Sequence, residues 1–225
     1  MGPISMQTLI DKAKREHQNA LSKMNYYTEV SKDDFRKLFN SRAQYAMAKR
    51  KNFSQFVIDD DNRHVLNIMY HYVLQQKTCE INPYIGIILQ GGWGCGKSVL
   101  IEAFCMILND ITLQSEKHIR VIHALELAED IRLNGIIPYT RIPLCIQDLG
   151  KEKLEGKAYG TEINPITELL AVRAEYGSLT FGTTNLTFEN FTKAYQTFVA
   201  KRILEHVNWV HLPGENRRPD YTLKI

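Results

Sequence analysis

The chain has 225 residues, of which 44% are hydrophobic and 24% charged, and a net charge of +3. That length suits one large α/β domain, or a domain with a small appendage, and the composition excludes fibrous, low-complexity and disulfide-scaffold classes. No apolar run reaches the length of a membrane span, and residues 1–24 are polar and helix-like rather than a secretory signal, so a cytoplasmic protein without membrane contact is expected. The four cysteines, Cys79, Cys95, Cys105 and Cys145, form no C-x-x-C pair and read as reduced thiols. The seven histidines make no metal-ligand pattern; His64 and His71 can share a helix face, but no Cys or carboxylate set joins them. Charge is uneven. Residues 1–51 carry 11 Lys/Arg and 5 Asp/Glu, an excess of 6, which leaves the rest of the chain at −3 against the total of +3. A basic N-terminal segment of this kind points to an anionic partner.

Residues 4–23 have helical spacing, with Ile4, Leu9, Ile10, Ala13, Ala20, Leu21 and Met24 recurring on one side. Ser31-Lys32-Asp33-Asp34 reads as a helix start, and the helix carries Phe35, Leu38, Phe39, Tyr45 and Met47 to a basic end at Lys49-Arg50-Lys51. Residues 52–58 read as a loop or extended link. Asp59-Asp60-Asp61-Asn62 places carboxylates at the start of a third helix over 61–76. From Tyr84 onward strands alternate with helices. Strands are predicted at 85–90, 119–123, 142–147, 178–184 and 207–212, and helices at 97–109, 124–133, 164–176, 187–194 and 196–206. That alternation predicts a parallel sheet covered on both faces. The division is set at a helical basic segment, residues 1–55, and an α/β domain, residues 56–225.

Between the first strand and the helix after it stands Gly91-Gly92-Trp93-Gly94-Cys95-Gly96-Lys97-Ser98. It fits G-x-x-x-x-G-K-[ST], the loop of P-loop NTPases. Glycines let backbone N–H groups wrap an anion, and the helix N-terminus adds partial positive charge. Lys97 is expected to reach the β- and γ-phosphates of ATP, and Ser98 to offer its hydroxyl to Mg²⁺. Residues Gly91 to Gly96 with Lys97, Ser98 and Val99 are the candidate nucleotide contacts. Trp93 is expected to pack rather than face a partner.

Such a site needs an acid at the end of a neighbouring strand. Ile142-Pro143-Leu144-Cys145-Ile146-Gln147-Asp148-Leu149-Gly150 supplies Asp148. A further strand should bring a polar group towards the γ-phosphate, and Leu179-Thr180-Phe181-Gly182-Thr183-Thr184-Asn185-Leu186 puts Asn185 at its tip.

Together the loop, Asp148-Leu149-Gly150-Lys151-Glu152, Thr183-Thr184-Asn185-Leu186 and Arg202-Ile203 resemble the DnaC/IstB group of AAA+ ATPases, bacterial helicase loaders and their transposon-encoded relatives. The resemblance covers residues 55–218. It implies a five-stranded parallel sheet of order 5-1-4-3-2 without a C-terminal lid. It also implies Asp148 as the strand acid and Mg²⁺ ligand beside Ser98, Asn185 as sensor 1 and Arg202 as the arginine finger reaching a neighbouring subunit. The fixed charge of an arginine suits that last role. Lys97, Asp148, Asn185 and Arg202 are thus the candidate catalytic set. Arg217 or Arg218 is a candidate late sensor. The implied function is a DnaC-like, ATP-dependent loader that oligomerises, holds single-stranded DNA and grips a replicative helicase. So short a loader suits a phage or mobile element. The alternatives are an IstB-like regulator binding duplex DNA and a transposase, a non-hydrolysing adaptor and, more weakly, a small-molecule kinase.

One departure matters. The family pattern reads Asp-Asp-Leu-Gly, but here Gln147 takes the first acidic position. Either Asp148 serves Mg²⁺ with Glu152 assisting, or Asp148 acts as the base and Mg²⁺ is weakly held. ATP binding is expected more firmly than fast hydrolysis.

Overall fold

The computed structural model describes residues 5–22, 26–52, 54–76, 79–152 and 164–218. Ile4 and Met24, read as part of the first helix, lie outside these. Three helices come first: α1 (Met6–Ser22), α2 (Lys32–Lys49) and α3 (Asp60–Leu74). Then β1 (Gly86–Gln90), α4 (Lys97–Ile111), β2 (Arg120–His123), α5 (Ala124–Asn134), β3 (Leu144–Leu149), α6 (Pro165–Glu175), β4 (Thr180–Thr184), α7 (Phe188–Ala194), α8 (Thr197–Glu205) and β5 (Val207–His211) alternate. Short 3-10 turns at Ser115–Lys117 and Ile137–Tyr139 were not signalled by any periodicity. All strand pairs are parallel, in the order β2-β3-β4-β1-β5, which is the predicted 5-1-4-3-2.

Local chemistry sets the helix starts. Ser31 accepts from the Asp34 N–H ahead of α2. Asp59 and Asn62 form a reciprocal capping box at α3. Asn164 caps α6, with Pro165 in its first turn.

Side chains on a strand point alternately to opposite faces, and both faces here are apolar. Ile87 and Leu89 of β1, Cys145 of β3 and Phe181 of β4 join one core, built with α2, α3 and α4. Ile88, Leu144 and Ile146 join the other, built with α5 to α8. In the first core Tyr72, Phe104 and Phe181 meet edge to face, at centroid distances of 5.4–6.2 Å. Phe35, Phe39 and Ala43 of α2 are buried in it too, so α2 packs directly on the α/β layers. On α1, by contrast, Met6, Leu9 and Ile10 are exposed.

One side chain ties together the N-terminal ends of β3 and β4, opposite the end that leads into the phosphate loop. Arg173 of α6 is 1% exposed and donates to the carbonyls of Ile142 at 2.9 Å and Leu179 at 2.6 Å, to the Tyr139 carbonyl, and to Thr180 Oγ1 at 3.1 Å. Burial lowers its pKa, but the four acceptors solvate the cation without any carboxylate.

Candidate functional site

β1 leads at its C-terminal end into residues 91–96, and α4 begins at once. Gly94 has φ +74° and Gly96 has φ +104°, the left-handed region that L side chains avoid. A Cβ on Gly94 would fall 1.8 Å from Asn216 Oδ1, so the conformation favours glycine there and any larger residue would have to displace the Asn216 side chain. This turn delivers the N-terminus of α4, with its unpaired N–H groups, to the loop mouth. Lys97 is 4% exposed, and its Nζ donates back to the Gly91 and Gly92 carbonyls at 2.9 and 2.6 Å. Burial pulls its pKa down. A phosphate entering the loop would replace those neutral acceptors with anionic oxygens and offset the cost of burying the ammonium.

Asp148 lies inside β3 rather than beyond its end. The β3–β4 register shifts between Ile146 and Leu149, and within that irregularity Asp148 has φ 60°. Its backbone N–H donates to Thr183 Oγ1 of β4 at 2.8 Å. The carboxylate Oδ2 accepts from Lys151 Nζ at 2.5 Å and lies 3.0 Å from His123 Nε2 at the end of β2. Burial alone would raise the Asp148 pKa; the Lys151 and His123 contacts outweigh it and hold it below the ordinary carboxylate range. Asn185 follows the last residue of β4, half-buried.

Trp93, Gly94, Cys95, Gly96, Lys97, Ser98, Val99, Asp148 and Asn185 border one cavity of about 790 Å³, within the usual range for small-ligand sites. Gly91 and Gly92 do not border it; they hold Lys97 from behind. Arg202 is outside the cavity, on α8, half-exposed, donating to Glu175 Oε1 at 2.9 Å and lying over the Phe198 ring. Trp93 was expected to pack, but it is 65% exposed at the loop tip with the Lys151 ammonium 4.7 Å from its ring. Arg217 and Arg218 both border the cavity. Arg217 is already paired with Asp59, and also with Asp61 at 3.0 Å, while its N–H donates to the Gly94 carbonyl at 3.1 Å.

Several cavity residues carry no motif. His123 is one, brought to Asp148 by the end of β2; Lys151 stands in the Asp148–Glu152 segment but had no role of its own there. The segment after α2 closes the remaining wall, through Arg50 and Phe56 among others. Its one sequence signal was the basic triplet 49–51, which also fits an ordinary helix end.

Mg²⁺ prefers six oxygens, usually one or two carboxylates plus phosphates and waters. Ser98 offers a hydroxyl. Gln147 offers no charge, and Asp148 has one oxygen held by two donors. Glu152 is no help: it is 2% exposed and turned into the core, accepting from Tyr195 and from the Gly150 N–H at 2.9 Å. Among the described residues no group of three or more His, Cys, Asp or Glu could hold a metal ion. The donor set does not fit a tightly held Mg²⁺.

The class these features define is a P-loop α/β fold with a five-stranded parallel sheet. No protein-family model and no curated protein matches the chain. Solved structures do. A Streptococcus pyogenes serotype M3 protein described as a primosome component superposes with TM-score 0.54 at 22% identity, over 72% of this chain and 85% of that one. The DnaC helicase loader superposes with TM-score 0.52 at 16% identity, over 70% of this chain and 93% of its own. DnaI gives TM-score 0.50 at 18% identity, over 70% and 87%. At such identities the likeness establishes the fold, and it is the fold that the DnaC/IstB resemblance implies.

Proposed function

We propose that this chain is an ATP-binding AAA+ protein that acts as a DnaC-like loader of a replicative helicase. The observation that carries the reading is convergence: the phosphate loop, the β3 acid Asp148 and the β4-tip Asn185 border one cavity, in a fold shared with DnaC and DnaI. ATP has a built site. Lys97 and the α4 N-terminus take the phosphates, Asn185 orients the γ-phosphate end, and Asp148 is the base for the attacking water. Hydrolysis is slow, because Asp148 is held in ion pairs and Gln147 brings no charge. Mg²⁺ arriving with the triphosphate has Ser98 as its one ready protein ligand and must compete for Asp148.

Arg202 is the group offered to a neighbouring copy. Its distance from the cavity of its own chain, and its exposure, suit action across a subunit boundary in a homo-oligomer. Single-stranded DNA and the helicase are the partners of this reading, with the basic N-terminal segment as the helicase contact. Its free cysteines, three of them buried, suit the reducing cytoplasm, and among the described residues no helix is long and apolar enough to cross a membrane.

The test is ATP hydrolysis with and without single-stranded DNA, beside Lys97→Ala and Arg202→Ala. DNA-stimulated turnover lost in both variants is expected. In Lys97→Ala, ATP binding should also fail; in Arg202→Ala it should survive while turnover drops roughly a hundredfold or more, as for loss of an arginine finger. Binding without turnover in the wild type leaves a nucleotide-stabilised adaptor instead. Capture of a transposase and duplex DNA, but not of a helicase, replaces the loader by the IstB-like alternative.

A further inference from the structure

Gln147 looks like a lost acid, but the structure surrounds it with a specific arrangement. Its Nε2 lies 3.5 Å from the Ser98 carbonyl, and its Oε1 accepts from Arg50 Nη2 at 3.4 Å. Arg50 caps the C-terminus of α2. The same Nη2 donates to Glu102 Oε2 at 2.5 Å, and Nη1 donates to the Ala46 carbonyl at 2.7 Å. Glu102 is 5% exposed on α4, four residues after Ser98, and its other oxygen accepts from Lys49 at 2.9 Å. Burial would raise the Glu102 pKa; the two cations more than offset it, so the carboxylate stays charged. The guanidinium is therefore held by a buried anion and a helix end at the edge of the nucleotide cavity, beside Gln147.

The charge around the cavity follows the same sense. Its wall carries Arg50, Lys51, Lys97, Lys151, Arg217 and Arg218, and Asp148 is the acid among the described residues that faces them. A divalent cation approaching Gln147, where the family pattern has an acid, meets Arg50 instead. A polyphosphate meets a fork of N–H donors. An arginine has five such donors, and Arg50 has three acceptors among the described residues. An acid at 147 would pair with Arg50 and cancel it. Glu102 is shared between Lys49 and Arg50, so this cluster keeps one positive charge in excess, and the neutral amide positions the guanidinium without cancelling it.

We propose that Arg50 takes the place of the metal in this site: the protein holds the triphosphate with its own cations, and nucleotide affinity depends little on divalent ions. This rests on the nucleotide-binding reading above, and Gln147 becomes the residue that makes the substitution work. The test is equilibrium binding of a fluorescent ATP analogue in excess MgCl₂ and in excess EDTA. Wild-type affinity should differ by less than about threefold between the two buffers. In EDTA, Arg50→Gln should bind roughly tenfold or more weakly, the size of one lost charge-assisted hydrogen bond. Arg50→Lys should keep part of that loss at bay, and the Arg50→Gln/Gln147→Asp double variant should bind tightly only with Mg²⁺. Thermal unfolding of each variant separates lost affinity from lost fold. Wild-type affinity that falls by more than about threefold in EDTA overturns the inference alone. So does a folded Arg50→Gln whose EDTA affinity is unchanged. Absence of binding in both buffers instead overturns the nucleotide reading, and this inference with it.

Discussion

Asp148 holds a backbone conformation that is uncommon in a β-strand. With φ 60° it sits in the left-handed region, which Asp tolerates better than most residues but still at a cost of about 1–3 kcal/mol. The strain aims the carboxylate at His123 and Lys151 while the N–H reaches Thr183. It follows that Asp148→Gly should be more stable than Asp148→Ala by about 1 kcal/mol in urea unfolding, although both lose the carboxylate and both should lose turnover. An equal stability of the two would mean that the left-handed turn is not held in solution. From the chain alone Asp148 could be found, because an apolar run ending in an acid is a recognisable pattern. Its twist could not, since glycine, the usual marker of positive φ, is absent. Glu152 was misjudged for a related reason. Its place four residues after Asp148 suggests a shared site, yet the turn through Gly150 and Lys151 reverses it into the core beneath Tyr195. Arg50 and Gln147 are 97 residues apart, and no local rule joins them.

At the scale of elements, α2 stands out because the sequence reading placed it in a helical basic segment, residues 1–55, ahead of the α/β domain. Its hydrophobic positions were legible; what they pack against was not, since helical periodicity gives a face without naming the neighbour. Phe35 and Phe39 fill the core against α3 and α4, and Arg42 clamps Asp110 at the end of α4 by two bonds of 2.7 Å. Phe39→Ala should therefore cost about 3–5 kcal/mol in chemical denaturation, a large share of a domain's typical 5–15 kcal/mol. Leu9→Ala, on the exposed side of α1, should lie within about 0.5 kcal/mol of wild type. Removal of residues 1–22, which takes away α1 but spares the buried Tyr26, should leave the cooperative transition in place, and removal of residues 1–51 should abolish it. The five strands and the five helices that alternate with them were readable to within two residues, because the central strands β1, β3 and β4 are buried on both faces and α5, α6 and α7 each start at a side-chain cap.

For the whole molecule, acid is the informative stress. Asp59, Glu102 and Asp148 all have pKa values held below the ordinary carboxylate range by paired cations. A depressed carboxylate binds protons less readily folded than unfolded, so its stabilisation is complete at neutral pH and is lost as pH falls through the folded value. The melting temperature should be flat from about pH 6 to 8 and drop below about pH 4; a rise on acidification would contradict the pairing described above. The order of the sheet has a further consequence for how the chain is made. β1 is flanked by β4 and β5, and the loop beyond it is steadied by Thr184, Leu212 and Arg217. Ribosomes add about 5–20 residues per second, so a nascent β1 waits on the order of ten seconds for either strand neighbour. The helices that cover Ile87 and Leu89, α2 and α3, have by then already emerged, and α4 follows directly. One face of the sheet is sheltered during synthesis while the other stays bare, and the phosphate loop takes its final shape only as the last strand arrives.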